Sequence, residues 1–399
     1  VNWTVLSRRI SGLLPVRKTE LGFKSKRTIV LGVIISLFLL FNLAPVHAEG
    51  GLRIVSSSAQ ASFPLTISFD VSAKSDVDIT DIRLHYKVFR HSFADVTAET
   101  YLQFVSASEV EASWDWDMRR TGGLPPGTSV QYWWTVTDAS GDQAETSPVT
   151  ILFDDERFLW QSLTQDIVTL YWYNGDHSFG EEIMLTIDDA LDWLEADTGA
   201  TLQEPIEIYL YANSQDLQGS MIFPQEWTGG VAFPMYGCIA IGISPANLGW
   251  GKGALAHELT HLVIHQMTLN PYNDIPTWLD EGLAVRSEGS PQYYYVDALN
   301  QAIMDDSLIS VQSISSPFSA LSDLAILSYA ESYSVVDYLI TTYGKDNMLE
   351  LLETFRAGAS YDGALMEVYG FDIDGLDRLW REYLSAPVGM NMVGVAPGN

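Results

Sequence analysis

The 399-residue sequence carries 51 acidic against 21 basic side chains, a formal net charge of −30. Such a surface repels nucleic acid and anionic lipid, so neither is expected as a partner. An apolar content of 47% with 12% aromatics excludes wholesale disorder and leaves room for more than one domain.

Lys24, Lys26 and Arg27 precede an apolar run from Ile29 to Leu43, and Val46-His47-Ala48 follows with small residues where a signal peptidase reads. This pattern predicts a signal peptide over 1–48, and with it an extracytoplasmic protein, secreted or held at the cell surface. The run is shorter than the roughly 20 residues a spanning helix prefers. An uncleaved N-terminal anchor is the alternative, and it is the one membrane contact the sequence predicts. Seven basic residues and a single acid precede Glu49, so removal of the leader takes the charge to −36.

Residues 49–155 read as all-β. Leu65 to Val71 and Ile82 to Val88 alternate with period two, and the aromatic run Val130 to Thr137 ends in the turn Asp138-Ala139-Ser140-Gly141-Asp142. Several short strands over this length predict a sandwich of immunoglobulin or fibronectin type. Trp114, Trp116, Trp133 and Trp134 fit its packing better than a carbohydrate platform.

From 156 to 386 the pattern turns to mixed α/β. Ile183, Ile187, Leu191 and Leu194 mark a helix stopped by Gly199. Pro205 to Ala212 reads as a strand, Val231 to Ser244 as one or two more, and Gly253 to Met267 as a helix. A further helix begins near Thr277, beyond Pro271 and Pro276, and three others cover 330–342, 345–357 and 376–384. Cys238 is the lone cysteine, which rules out an intramolecular disulfide, and it lies in a predicted buried strand as a core residue. The last stretch, 387–399, reads as a loose tail.

The chemistry concentrates in Ala256-His257-Glu258-Leu259-Thr260-His261-Leu262. Positions i and i+4 share one helix face, so His257 and His261 can grip one zinc ion, with Glu258 beside them to activate a zinc-bound water. A catalytic zinc needs a third protein ligand and an open position. The segment Thr277-Trp278-Leu279-Asp280-Glu281-Gly282-Leu283-Ala284 supplies a carboxylate on the next helix, and Glu281, nineteen intervening residues after His261, is the expected ligand. Trp278, Leu279 and Leu283 would anchor that helix in the core.

The pairing of H-E-x-x-H with a downstream Trp-Leu-x-Glu-Gly-x-Ala resembles the gluzincin zinc metallopeptidases, especially the peptidase MA-like domains. The resemblance covers roughly 254–344. It implies an α+β zincin-like catalytic domain and Zn2+ held by His257, His261 and Glu281. The spacing to Glu281 is one residue longer than usual in such enzymes, and a strict count selects Asp280, whereas the flanking Trp-Leu and Gly-x-Ala register selects Glu281. By the same resemblance Tyr329 stabilises the oxyanion, with Tyr333 one turn on as the alternative, and Gly230, Val231 and Ala232 lie on the edge strand that carries a peptide substrate.

Glu288 falls seven residues after Glu281, and either orients a ligand histidine or ends a solvated helix. His265, one more turn along the helix, is expected to serve packing or to be exposed. Arg286 is open between a peptide C-terminus and Glu288. The predicted protein is a zinc-dependent peptidase of peptide or protein substrates, and the resemblance implies endopeptidase action, because the Gly-x-Met-Glu-Asn-like run with which aminopeptidase-type relatives hold a free amine does not stand before His257. The competing reading is a catalytically silent gluzincin fold used as a binding or scaffold protein.

Overall fold

The computed structural model describes residues 51–92, 94–224, 228–319 and 321–385; the expected signal peptide and tail lie outside them. No helix among the described residues is long and apolar enough to cross a membrane.

Eight strands open the fold: β1 (Arg53–Ser62), β2 (Thr66–Lys74), β3 (Ile79–Val88), β4 (Ala98–Tyr101), β5 (Glu109–Asp117), β6 (Thr128–Asp138), β7 (Gln143–Glu145) and β8 (Val149–Phe153). They form two antiparallel sheets, β1-β2-β5 and β4-β3-β6-β7, with β8 also paired to β6. Period-two alternation creates the sandwich. On β2, Ile67, Phe69 and Val71 point inward to meet Val130, Tyr132, Trp134 and Val136 of β6, all buried. Each such side chain contributes about 1.5–3 kcal/mol by leaving water. Trp116 and Trp134 are buried there too, while Trp133, on the opposite face of β6, stacks on His85.

The second sheet uses β9 (Gln161–Gln165), β10 (Val168–Trp172), β11 (Ile206–Tyr211), β12 (Gly230–Phe233) and β13 (Cys238–Gly242). Its order is β12-β13-β11-β10-β9; the three central strands run parallel, and the antiparallel strands β12 and β9 form the edges. Nine helices complete the described chain: α1 (His177–Thr198), α2 (Ser214–Gln218), α3 (Leu248–Thr268), α4 (Thr277–Ser287), α5 (Tyr293–Met304), α6 (Ser322–Tyr343), α7 (Lys345–Arg356), α8 (Tyr361–Tyr369) and α9 (Ile373–Ser385). The fold is therefore a β-sandwich followed by an α+β domain, as the sequence predicts.

Helix α1 crosses between the parallel strands β10 and β11. Asp176 caps its start by accepting from the Phe179 amide, and Gly199 ends it in the left-handed conformation. Helix α3 is the spine of the domain. Leu255, Leu259 and Leu262 face the sheet, while Val263, Ile264 and Met267 face the helical core with Trp278, Leu279 and Leu283 of α4. A helix gripped on two sides has one strip left, and His257, Glu258, His261 and His265 occupy it.

The far side of β11 departs from simple alternation. Tyr209 and Tyr211 are buried, because Phe158, Trp160 and Tyr173 cover that face. Asp155 fastens this cover. It is fully buried, pairs with Arg157 at 2.6 Å and accepts from the Tyr211 hydroxyl at 2.9 Å. The sandwich rests on the same region: the His91 amide donates to the Met235 carbonyl at 2.7 Å, Gly127 lies against the Glu207 and Tyr209 side chains, and Ile222 and Tyr236 pack on the sandwich core. A side chain at Gly127 would have no room, and its φ of +79° suits glycine alone.

Candidate metal centre

Helices α3 and α4 bring three ligand groups to one point. Glu281 Oε2 stands 3.5 Å from His257 Nε2 and 3.5 Å from His261 Nε2. All three ligand atoms lie within 4.8 Å of one another. Zinc–ligand bonds of about 2.0–2.1 Å in a tetrahedron require roughly 3.3 Å between ligand atoms, so the set has the dimensions of a zinc site.

An unmatched atom gives the sharper test. Glu281 Oε2 is buried and has no hydrogen-bond partner among the described residues. A buried carboxylate oxygen without a hydrogen bond is costly, and a cation between it and the two imidazoles removes that cost. The residues fit a zinc ion.

The histidines are also held from behind. His257 Nδ1 meets Glu288 Oε1 at 2.8 Å, and His261 Nδ1 meets Asp280 Oδ1 at 2.9 Å. With Nδ1 donating to a carboxylate, each Nε2 lone pair is free to face the ligand cluster. Asp280, which a strict count nominates as ligand, thus stands behind His261. Its other oxygen meets His265 Nε2 at 3.1 Å, so His265 braces Asp280 rather than being left to packing or solvent. Glu288 reaches His257 from the end of α4. Arg286 meets neither of its expected partners. It pairs with Asp197 at 2.7 Å and with Asp337, tying the ends of α1 and α4 to α6. Glu288 is already taken by His257, and Arg286 points away from the cleft into this network.

Electrostatics follow from the packing. Burial opposes charge on His257, yet Glu281 and Glu288 outweigh it and hold the ring's pKa up at about 9. Burial likewise works against an ionised Glu281, but His257 and His261 pull its carboxyl down to about 2. Glu258 is pushed up by burial, against the pull of His261 and His257. It lies under the edge strand β12, where the Ala232 amide donates to it and Gly230 passes so close that an added methyl would strike its side chain.

Tyr329 of α6 lines the same cleft, with Phe318 and Tyr295 against its ring, and burial raises its pKa. Tyr333 lies toward Asp337 and Arg286 instead. The predicted strand Gly230, Val231 and Ala232 lines the cleft from the opposite side. Two features are absent from the sequence reading. One is the bracing role of Asp280, which its place beside Glu281 could have suggested. The other is a cleft wall made by Arg90, His91 and Ser92, for which the sequence holds no signal.

The sequence profile of the peptidase MA superfamily matches residues 186–386, just over half of the chain. No curated protein matches the sequence. Among solved structures, an M1 zinc metallopeptidase from Deinococcus radiodurans is similar at 12% identity, with 85% of this chain and 96% of that one covered and a TM-score of 0.33. Yeast LTA4 hydrolase in complex with bestatin is similar at 11% identity, covering 88% and 64%, TM-score 0.33. OgpA from Akkermansia muciniphila is similar at 11% identity and a TM-score of 0.20; 26% of this chain is covered, and only 27% of OgpA. The profile match spans the helices that carry His257, Glu258, His261 and Glu281, and by it this chain belongs to the peptidase MA superfamily.

Proposed function

We propose that the protein is an extracytoplasmic zinc-dependent peptidase acting on peptides or proteins, with endopeptidase action favoured. The observation that carries the reading is the buried Glu281 Oε2, which has no hydrogen bond among the described residues and faces two imidazole Nε2 atoms at 3.5 Å, in the cleft that Glu258 also lines. His257, His261 and Glu281 would hold the metal, which when bound supplies a Lewis acid for the scissile carbonyl and makes water easier to deprotonate.

The chain's own residues do the rest. Glu258, its proton affinity raised by burial, takes a proton from the attacking water and delivers it to the leaving amine. The Tyr329 hydroxyl, which burial keeps protonated, donates toward the oxyanion. Edge strand β12 has no strand neighbour on its outer side among the described residues, and an extended peptide would lie there, across the cleft between β12 and α3. Glu288 and Asp280 hold the two rings in the ligand tautomer.

The test is metal content of the purified protein beside its Glu281→Ala variant, followed by cleavage of an unfolded protein substrate. One zinc per chain, lost or sharply weakened in Glu281→Ala, is expected. Cleavage should fall by about 10²–10⁴ in Glu258→Gln while that variant keeps its zinc. A wild type that binds zinc but cleaves nothing would point to a silent scaffold.

A further inference from the structure

The sandwich reaches the catalytic cleft. Arg90, His91 and Ser92, from the loop between β3 and β4, line one cavity of about 1140 Å³ together with His257, Glu258 and Glu281. His91 is held there: its amide donates to Met235 just beyond the end of β12, and its ring packs near Gly237. One domain thus supplies the metal ligands and the other a wall.

The charge on that wall is unusual for this chain. Fourteen basic residues fall within 51–385, and nine of them sit in ion pairs with carboxylates. Arg53, Arg90, Arg120, Lys345 and Arg356 have no ion pair among the described residues, and two of these five, Arg90 and Arg356, line the cleft. In a molecule with so many spare carboxylates, a guanidinium without one at the mouth of an active site is free for a ligand. Glu353, one turn before Arg356 on α7, also lines the cleft and offsets that arginine's field. The other acids lining the cleft, Glu204, Glu258, Asp274, Asp280 and Glu281, also come from the α+β domain. On the sandwich side Arg90 also borders a smaller groove lined by Asp95, but Asp95 is paired with Lys87 at 2.7 Å.

Resting on the peptidase reading, we infer that Arg90 is a substrate-positioning residue that binds a carboxylate of the peptide, so that the sandwich takes part in choosing substrates. Guanidinium suits this task because its fork matches a carboxylate with two parallel hydrogen bonds. The carboxylate comes either from an Asp or Glu side chain flanking the scissile bond or from the peptide's own C-terminus.

The experiment uses the full-length zinc-loaded protein and quenched fluorescent peptides. A neutral amidated parent is compared with versions bearing Glu on either side of the scissile bond, and with the same parent carrying a free C-terminus. Wild type should favour at least one carboxylate-bearing peptide by on the order of tenfold in kcat/KM, mainly through KM. The peptide that gains identifies the source. The ratio should fall to about one in Arg90→Gln, recover in part in Arg90→Lys, and hold in Arg120→Gln, which lies outside the cleft. An unchanged ratio in Arg90→Gln, or no carboxylate preference in wild type, overturns the inference and leaves the peptidase standing. Failure of wild type to cleave any peptide overturns both.

Discussion

At the residue scale, the centre depends on side chains that never touch the metal position. Glu288 and Asp280 each hold one imidazole by Nδ1, at 2.8 and 2.9 Å. Removing either charge should leave the fold intact but loosen the ring it orients. Glu288→Gln and Asp280→Asn are expected to weaken zinc binding by about 10–100-fold, measured by competition with a chelator. Asp280→Asn should do more, because it also strips His265 of its partner. A second acid, Glu331, is fully buried on α6. Its Oε1 accepts from the Ile309 amide at 2.9 Å, while Oε2 has no partner among the described residues. Burial pushes its carboxyl up to about 8, so the folded chain keeps a proton that the unfolded chain releases near 4.5. The sign follows from linkage: this group's contribution to stability is fullest below about 4.5 and is lost as pH rises toward 8. Glu331→Gln should remove that decline and raise the midpoint in urea at pH 8.5 relative to wild type, with little change at pH 5. The gain is a few kcal/mol at most, at about 1.4 kcal/mol per pKa unit.

At the element scale, what was legible in the sequence was what repeats or carries a motif. The period of Ile183, Ile187, Leu191 and Leu194 marks α1, although the helix begins at His177, where Asp176 caps it. The helix that carries His257 and His261 begins at Leu248 rather than near Gly253, because its first turn packs on the residue that follows β13: Gly251 lies against Ile243. Helix α5 escaped notice behind Tyr293-Tyr294-Tyr295, a run that favours strands by propensity and is helical here, packed on α6. Short strands β9 and β10 carry too few residues for a period to show. The Trp-Leu-Asp-Glu-Gly motif has a physical reason for its glycine. Helix α4 crosses α6 so tightly that a methyl at Gly282 would strike the Ser332 carbonyl and Val336. Gly282→Ala should therefore push α4 outward and cost about 1–3 kcal/mol in stability by thermal melting, and it should weaken zinc binding, because Glu281 moves with the helix.

At the scale of the whole molecule, the sequence separated an all-β half from a mixed half by strand alternation and helical period. It could not show that the halves share a cleft. Pairing of the β3–β4 loop with Met235 joins residues far apart in the chain, and no local pattern encodes such a contact. The shared surface is apolar as well as polar: Tyr236 and Ile222 pack on the sandwich core, and the Cys238 thiol meets the Pro126 carbonyl. Calorimetry of the full chain should therefore give one unfolding transition rather than two, and residues 156–386 expressed alone should melt lower and associate, having uncovered that surface.

The docked loop has a practical consequence for anyone who alters this protein. Grafting a foreign sandwich onto the α+β domain would replace one wall of the cleft, so on the proposed peptidase reading a chimaera built as a simple change of attachment module would inherit a new list of cleavable sequences.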